Sequence, residues 1–195
     1  MSAIVGNHVR AILAAMTVSG VLTDAFDRIA ESVAEAVEGL DAGQLAARLD
    51  ADANPVSWLV WHLTRVQDDH IAAAFGSSSA QVYSAGGWAG RLGLPPTSLE
   101  LGYGHTSAQV EAVSSAICGM PSPGKLLMAY HEAVHAQTVR LVSDLADEDL
   151  GRVVDSGWTP PVTLGVRLVS VINDDMQHAG QALYVRGILL RQAEG

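Results

Sequence analysis

Apolar residues recur along this chain at helical spacing, while the two-residue alternation of a half-buried strand is scarce; nothing else in the sequence constrains the fold as much. In "VLTDAFDRIAESVAEAVEGL" (21–40), Leu22, Phe26, Ile29, Val33 and Val37 form one stripe with acidic residues opposite, Thr23 as candidate N-cap and Gly39 as the stop. "NPVSWLVWHLTRVQDDHIAAAFG" (54–76) predicts a second helix, with Asn54 as cap, Pro55 at the first helical position and Gly76 at the end. Its core stripe reads Leu59, Leu63, Val66 and Ala73. Residues 76–104, rich in Gly, Ser and Pro, are too long for a plain connection, and loops of that kind often cover sites. A short helix over 106–117 and long helices over 124–146 and 162–192 follow. The expected fold is therefore an all-α four-helix bundle, with a long loop and a short extra helix between the second and third long helices. Residues 1–20 read as an N-terminal extension and 21–195 as a single domain.

Charge and composition narrow the function. A formal net charge of −10 repels phosphate backbones and argues against nucleic acid as a partner. No apolar run reaches the roughly 18 residues of a membrane span, and "AILAAMTVSG" (11–20) lacks the basic start and small-residue cleavage site of a signal peptide. The single cysteine, Cys118, cannot form an internal disulfide and has no acid–base pair near it in sequence, which fits a reducing cytoplasm. Hydrophobic residues make up 49% of the chain against 16% charged, a surplus best accommodated by a helix-rich core plus a subunit interface, so a homodimer is expected.

Bundle proteins build metal sites from inward-facing polar residues on neighbouring helices. At about 100° per residue, His62 falls some 60° from the centre of its apolar stripe, with Arg65 and Asp69 along the same flank. His62 reads either as a ligand or as a boundary histidine bonded to a neighbour. On the last helix Arg167, Asp174, His178 and Gln181 share a sector of about 60°. Asp174 and His178, four residues apart, can grip one ion, or can belong to an ordinary solvated stripe.

"HEAVH" (131–135) spells the H-E-x-x-H of zinc peptidases. Leu127, Val134, Leu141 and Leu145 define the core side of that helix; His131 lies at its margin, His135 about a right angle away and Glu132 nearly opposite. Thr138 and Leu141 stand where the metzincin extension needs Gly and His, so no third ligand follows. The pattern reads as a coincidence of helix composition.

"NPVSWLVWHLTRVQDDH", followed over a hundred residues later by "DDMQHAGQALYVRG", resembles the DinB-like superfamily of helical-bundle metalloenzymes. The similarity covers about 21–190 and is greatest to an actinobacterial branch of mycothiol-dependent transferases, which "SLELGYGHTSAQV" and "WTPPVTLGVRLVSVINDD" also resemble. The resemblance implies a four-helix bundle in which one His of the second helix and a His-x-x-x-His pair of the last hold a divalent metal. The second-helix ligand carries over to His62 and the final one to His178; the remaining family histidine falls on Asp174. Aspartate is a competent zinc ligand, and two His with one carboxylate is a known catalytic set. "HEAVH" matches no family ligand position, and His70, His105 and His8 match no family role; His105 is either a substrate-side residue or a loop histidine before a Thr/Ser cap.

The resemblance implies a metal-dependent enzyme, with zinc preferred and nickel or manganese possible. A low-molecular-weight thiol of the mycothiol type would be transferred to, or assist isomerisation of, a small electrophile. Arg65 and Arg167 are candidates for an anionic group of substrate or thiol, or for ion pairs with Asp69 or Asp174, and Gln181 for orienting a ligand. Two other readings stand beside this one. Asp174 in place of His fits a non-catalytic small-molecule-binding or stress-associated bundle with a degenerate site, and His131, Glu132 and His135 would make a zinc peptidase.

Overall fold

The computed structural model describes residues 17–76, 79–95 and 100–193. His8 and most of the expected extension, residues 1–16, lie outside that range. The long helices are α1 (Val18–Val37), α3 (Val56–Phe75), α7 (Pro123–Val142) and α8 (Leu164–Ala193). Between them lie α2 (Ala42–Ala46), the single turns α4 (Val82–Ala85) and α5 (Trp88–Arg91), and α6 (Ser107–Cys118). A 3-10 turn (Asp147–Gly151) leads into an antiparallel hairpin of β1 (Val153–Asp155) and β2 (Val162–Thr163), and β2 runs directly into α8.

The expected stripe of α1 is buried in full, and the helix begins six residues early because the Thr17 hydroxyl, not Thr23, caps it by accepting from the Gly20 N–H. Pro55 sits outside α3 as its N-cap residue, one place earlier than expected, and Gly76 ends that helix at φ +60°. The stripe predicted for α3 is too narrow. Residues 56–68 are buried all round, because α1, α2, α4, α6, α7, α8 and β1 all pack on this helix, while Ala73 is exposed and Ala74 takes the buried position. α7 stops at Val142, which is buried where Leu141 and Leu145 are only partly so.

Around the bundle the long helices follow the order α1, α7, α3, α8, so α1 faces α3, and α7 faces α8, across the diagonals. Asp27 meets His135 and Val37 lies beside Gly124, so α1 and α7 are antiparallel. Thr64 meets His131 and Gln67 meets Thr138, so α3 and α7 run the same way. Fully buried Phe26, Leu59, Leu63 and Leu127 fill the shared core, each worth about 1.5–3 kcal/mol in surface removed from water. The edge between α3 and α8 carries the polar residues that matter below.

Among the charged groups, Arg65 and Asp68 are fully buried as an ion pair at 3.5 Å. Asp68 also accepts from the backbone N–H groups of Val82 and Tyr83 and from the Tyr130 hydroxyl, and so clamps α4 onto α3 and α7. Burial raises its pKa above the usual carboxylate value against the pull of those hydrogen bonds and of Arg65.

Candidate metal centre

His62 on α3 and Asp174 and His178 on α8 converge, with one ligand atom from each lying within 4.8 Å of the others. The His62 and His178 rings stand 4.7 Å apart and nearly perpendicular. Helical spacing brings Asp174 and His178 to one side of α8; Arg152 bonds both the Ala74 carbonyl and the Leu164 N–H, so α8 starts beside the end of α3, and this antiparallel packing places His62 opposite them.

The hydrogen bonds around the histidines leave the same nitrogen free on each. Nδ1–H of His62 donates to the Leu101 carbonyl. Nδ1–H of His178 donates to the Gln181 side-chain oxygen at 2.9 Å. Both Nε2 lone pairs are thereby available to an electrophile, the arrangement that outer partners impose on metal-binding histidines. Asp174 Oδ2 is buried with no hydrogen-bond partner among the described residues, while Oδ1 lies 3.9 Å from His178 Nε2. Two free imidazole nitrogens and an orphaned carboxylate oxygen fit a divalent cation. Burial holds His62 below the usual histidine range despite its bond to Leu101, so at neutral pH it carries the free base that a metal needs. The side chains of Asp174 and His178 keep 25% and 20% of their exposure, so one side of the cluster faces solvent.

A strap from Glu100 to His105 covers the site. At Gly102 (φ +102°) a Cβ would lie 2.8 Å from His62 Nδ1 and 2.9 Å from the Trp58 ring, so only glycine lets the backbone close on His62. Trp58, one turn before His62, stacks on its ring at 4.7 Å and meets His178 edge-on. Trp58 also donates to His105 Nδ1 at 3.2 Å, leaving His105 Nε2 3.3 Å from Glu100. His105 thus holds the strap, immediately before the Thr106 cap of α6. Tyr103, exposed at the mouth, meets His62 edge-on at 5.2 Å. Burial of its ring, then the charges of Asp174, Asp175 and Asp69, push its pKa up to about 12.

The other sequence candidates sit further out. Arg65 pairs with Asp68, not with Asp69 or Asp174, and offers no surface to a ligand. Asp69 accepts from Gln81 at 2.7 Å and lies 3.3 Å from His70 Nδ1. Arg167 pairs with Asp155 of β1 at 2.9 Å. Sequence reasoning passed over Trp58, Tyr103 and Asp175. Trp58 was findable by its spacing of four from His62. Asp175 stands in the buried row Leu168, Val171, Asp175, Ala179 with neither oxygen hydrogen-bonded among the described residues, and burial raises its pKa well above the carboxylate range.

"HEAVH" forms no such cluster. His131 is wholly buried, not marginal: Nδ1–H donates to Thr64, and burial depresses the pKa to about 3. His135 bonds Asp27 at 2.8 Å, and Glu132 opens into an acidic groove of about 1240 Å³ between α1 and α7, on the edge of the bundle opposite His62.

An all-α bundle with a two-histidine, one-carboxylate cluster between its second and last long helices defines a class of candidate metal-binding helical proteins. Comparison makes the assignment sharper: the DinB superfamily profile matches residues 25–182, and the chain belongs to that superfamily. A solved structure, the conserved protein of a locus from Enterococcus faecalis, is 30% identical with a TM-score of 0.76, over 90% of this chain and 99% of that one. A search of curated proteins finds no match.

Proposed function

We propose that this protein is a divalent-metal-dependent enzyme that uses a small thiol, of the mycothiol type, against a small electrophile. The observation that carries the reading is the convergence of His62, Asp174 and His178 with both Nε2 lone pairs and Asp174 Oδ2 uncommitted. That donor set favours zinc, with nickel and manganese the next candidates. When bound, such an ion lowers the pKa of a water or thiol beside it.

The chain's own residues do the rest. Leu101 and Gln181 keep the two imidazoles turned, and Trp58 walls the inner side of the site. Tyr103 stays protonated through the neutral range and can donate to negative charge developing on a substrate at the mouth. Arg167, paired with Asp155, is the cation whose charge reaches Tyr103. Among the described residues no helix is long and apolar enough to cross a membrane, and a reducing cytoplasm would suit both a thiol cosubstrate and unpaired Cys118.

The test is conversion of a generic electrophile by low-molecular-weight thiols, with chelator-treated protein and with zinc, nickel or manganese restored. Turnover that requires both thiol and metal is expected. Metal binding without thiol-dependent turnover would reject the enzyme in favour of a binding module.

A further inference from the structure

We propose that the cleft beyond Tyr103, walled by Asp69 and His70 of α3 and by Arg167 and Asp155 across from them, binds an uncharged, hydroxyl-bearing body of the thiol cosubstrate. This rests on the thiol chemistry proposed for the metal cluster. Arg152 joins the Ala74 carbonyl to the Leu164 N–H, and His62 lies opposite the Asp174–His178 pair. The same antiparallel register sets His70 level with Leu168, next to Arg167, and β1, which carries Asp155, also packs on α3. Tyr103 joins the two ends of this cleft. Its ring meets His62 edge-on at 5.2 Å and stacks on His70 at 6.5 Å, and the charges of Asp174, Asp69 and Arg167 all act on its hydroxyl. The four polar side chains beyond it keep between 20% and 33% of their exposure, so each is lodged in the surface with part of it open to a ligand.

His70 is held from behind. Its Nδ1 lies 3.3 Å from Asp69 Oδ2, Asp69 Oδ1 accepts from the Gln81 amide at 2.7 Å, and the Gln81 oxygen accepts from buried Arg65 at 3.5 Å. The bond from His70 keeps the Asp69 carboxyl below its ordinary pKa, so at neutral pH it accepts and Nδ1 carries the proton. Nε2, with no partner among the described residues, is left as an acceptor. The arrangement is that of an acid–base dyad, but distance decides against that role. His70 stands about 12 Å beyond His62 along α3, whereas proton transfer needs a contact of about 2.6–3.2 Å with the reacting group. What reaches His70 from a sulfur beside His62 is the rest of the thiol. The walls select its class. Arg167 gives hydrogen bonds, His70 Nε2 and the carboxylates of Asp69 and Asp155 take them, and a hydroxyl does both. Two carboxylates against one guanidinium also leave the walls net negative, which disfavours carboxylates on the ligand.

Calorimetric titration of the zinc-loaded full chain with three thiols tests it. Mycothiol has a long hydroxylated body, glutathione has similar reach but carries carboxylates, and N-acetylcysteamine is uncharged and too short to reach His70. The wild type should bind mycothiol about tenfold more tightly than either of the others. His70→Ala and Arg167→Gln should each lose about tenfold for mycothiol, while affinity for N-acetylcysteamine, metal content and helical circular dichroism stay unchanged. Mycothiol bound no better than glutathione, or variants that weaken all three thiols alike or none, would overturn the subsite while thiol binding itself stands. A wild type that binds none of the three would overturn the thiol reading and the subsite with it.

Discussion

His131 shows how far one residue's setting can depart from the motif it spells. Its imidazole is buried as the neutral base, with a folded pKa of about 3 against a reference value of 6.5. Between those values the unfolded chain binds more protons, so stability present above pH 6.5 is lost as the pH falls toward 3. Acidification from pH 7 to 5 should cost about 2 kcal/mol through this residue. Urea unfolding at the two pH values should show that loss in the wild type and a clearly smaller one in His131→Asn; equal losses would contradict the assignment. In the sequence His131 stood at the margin of its helix, because a helical wheel counts only the helix's own apolar residues. Thr64 of α3 is what draws it inward, and a partner 67 residues away leaves no local trace. Asp174 and His178 were legible for the opposite reason, since four residues on one helix fix their own spacing.

At the scale of elements, two connections do more than join helices. Asp68 ties α4 to α3 and α7, and Asp68→Ala leaves the guanidinium of Arg65 buried without its carboxylate. The expected loss is about 3–5 kcal/mol, read from the denaturant midpoint; a loss within the ±0.5 kcal/mol of an ordinary surface change would refute the clamp. The strap is tested by Gly102→Ala, whose Cβ would strike His62 and Trp58. Metal affinity should fall about tenfold or more while helix content is kept, and calorimetric titration measures it; an unchanged affinity would show that Leu101 does not set the orientation of His62. The long helices were readable from their periodicity, although the buried perimeter of α3 was not, because its covering comes from seven other elements. The turns α4 and α5 and the hairpin of β1 and β2 are too short to carry a period. The strap's role depends on Gly102 meeting α3 forty residues away, which spacing cannot show.

For the whole molecule, four helices in the order α1, α7, α3, α8 bring the His62 cluster to the edge between α3 and α8 and an acidic groove to the edge between α1 and α7. The first edge is the one proposed to hold the metal; "HEAVH" lies across the bundle from it. Elemental analysis of metal per chain in the wild type, His178→Ala and His131→Asn, purified without chelators and reloaded with zinc, tests it most directly. About one ion per chain is expected in the wild type and His131→Asn, and none in His178→Ala. An empty His131→Asn beside a loaded His178→Ala, or a wild type that takes up no zinc, nickel or manganese, would contradict it.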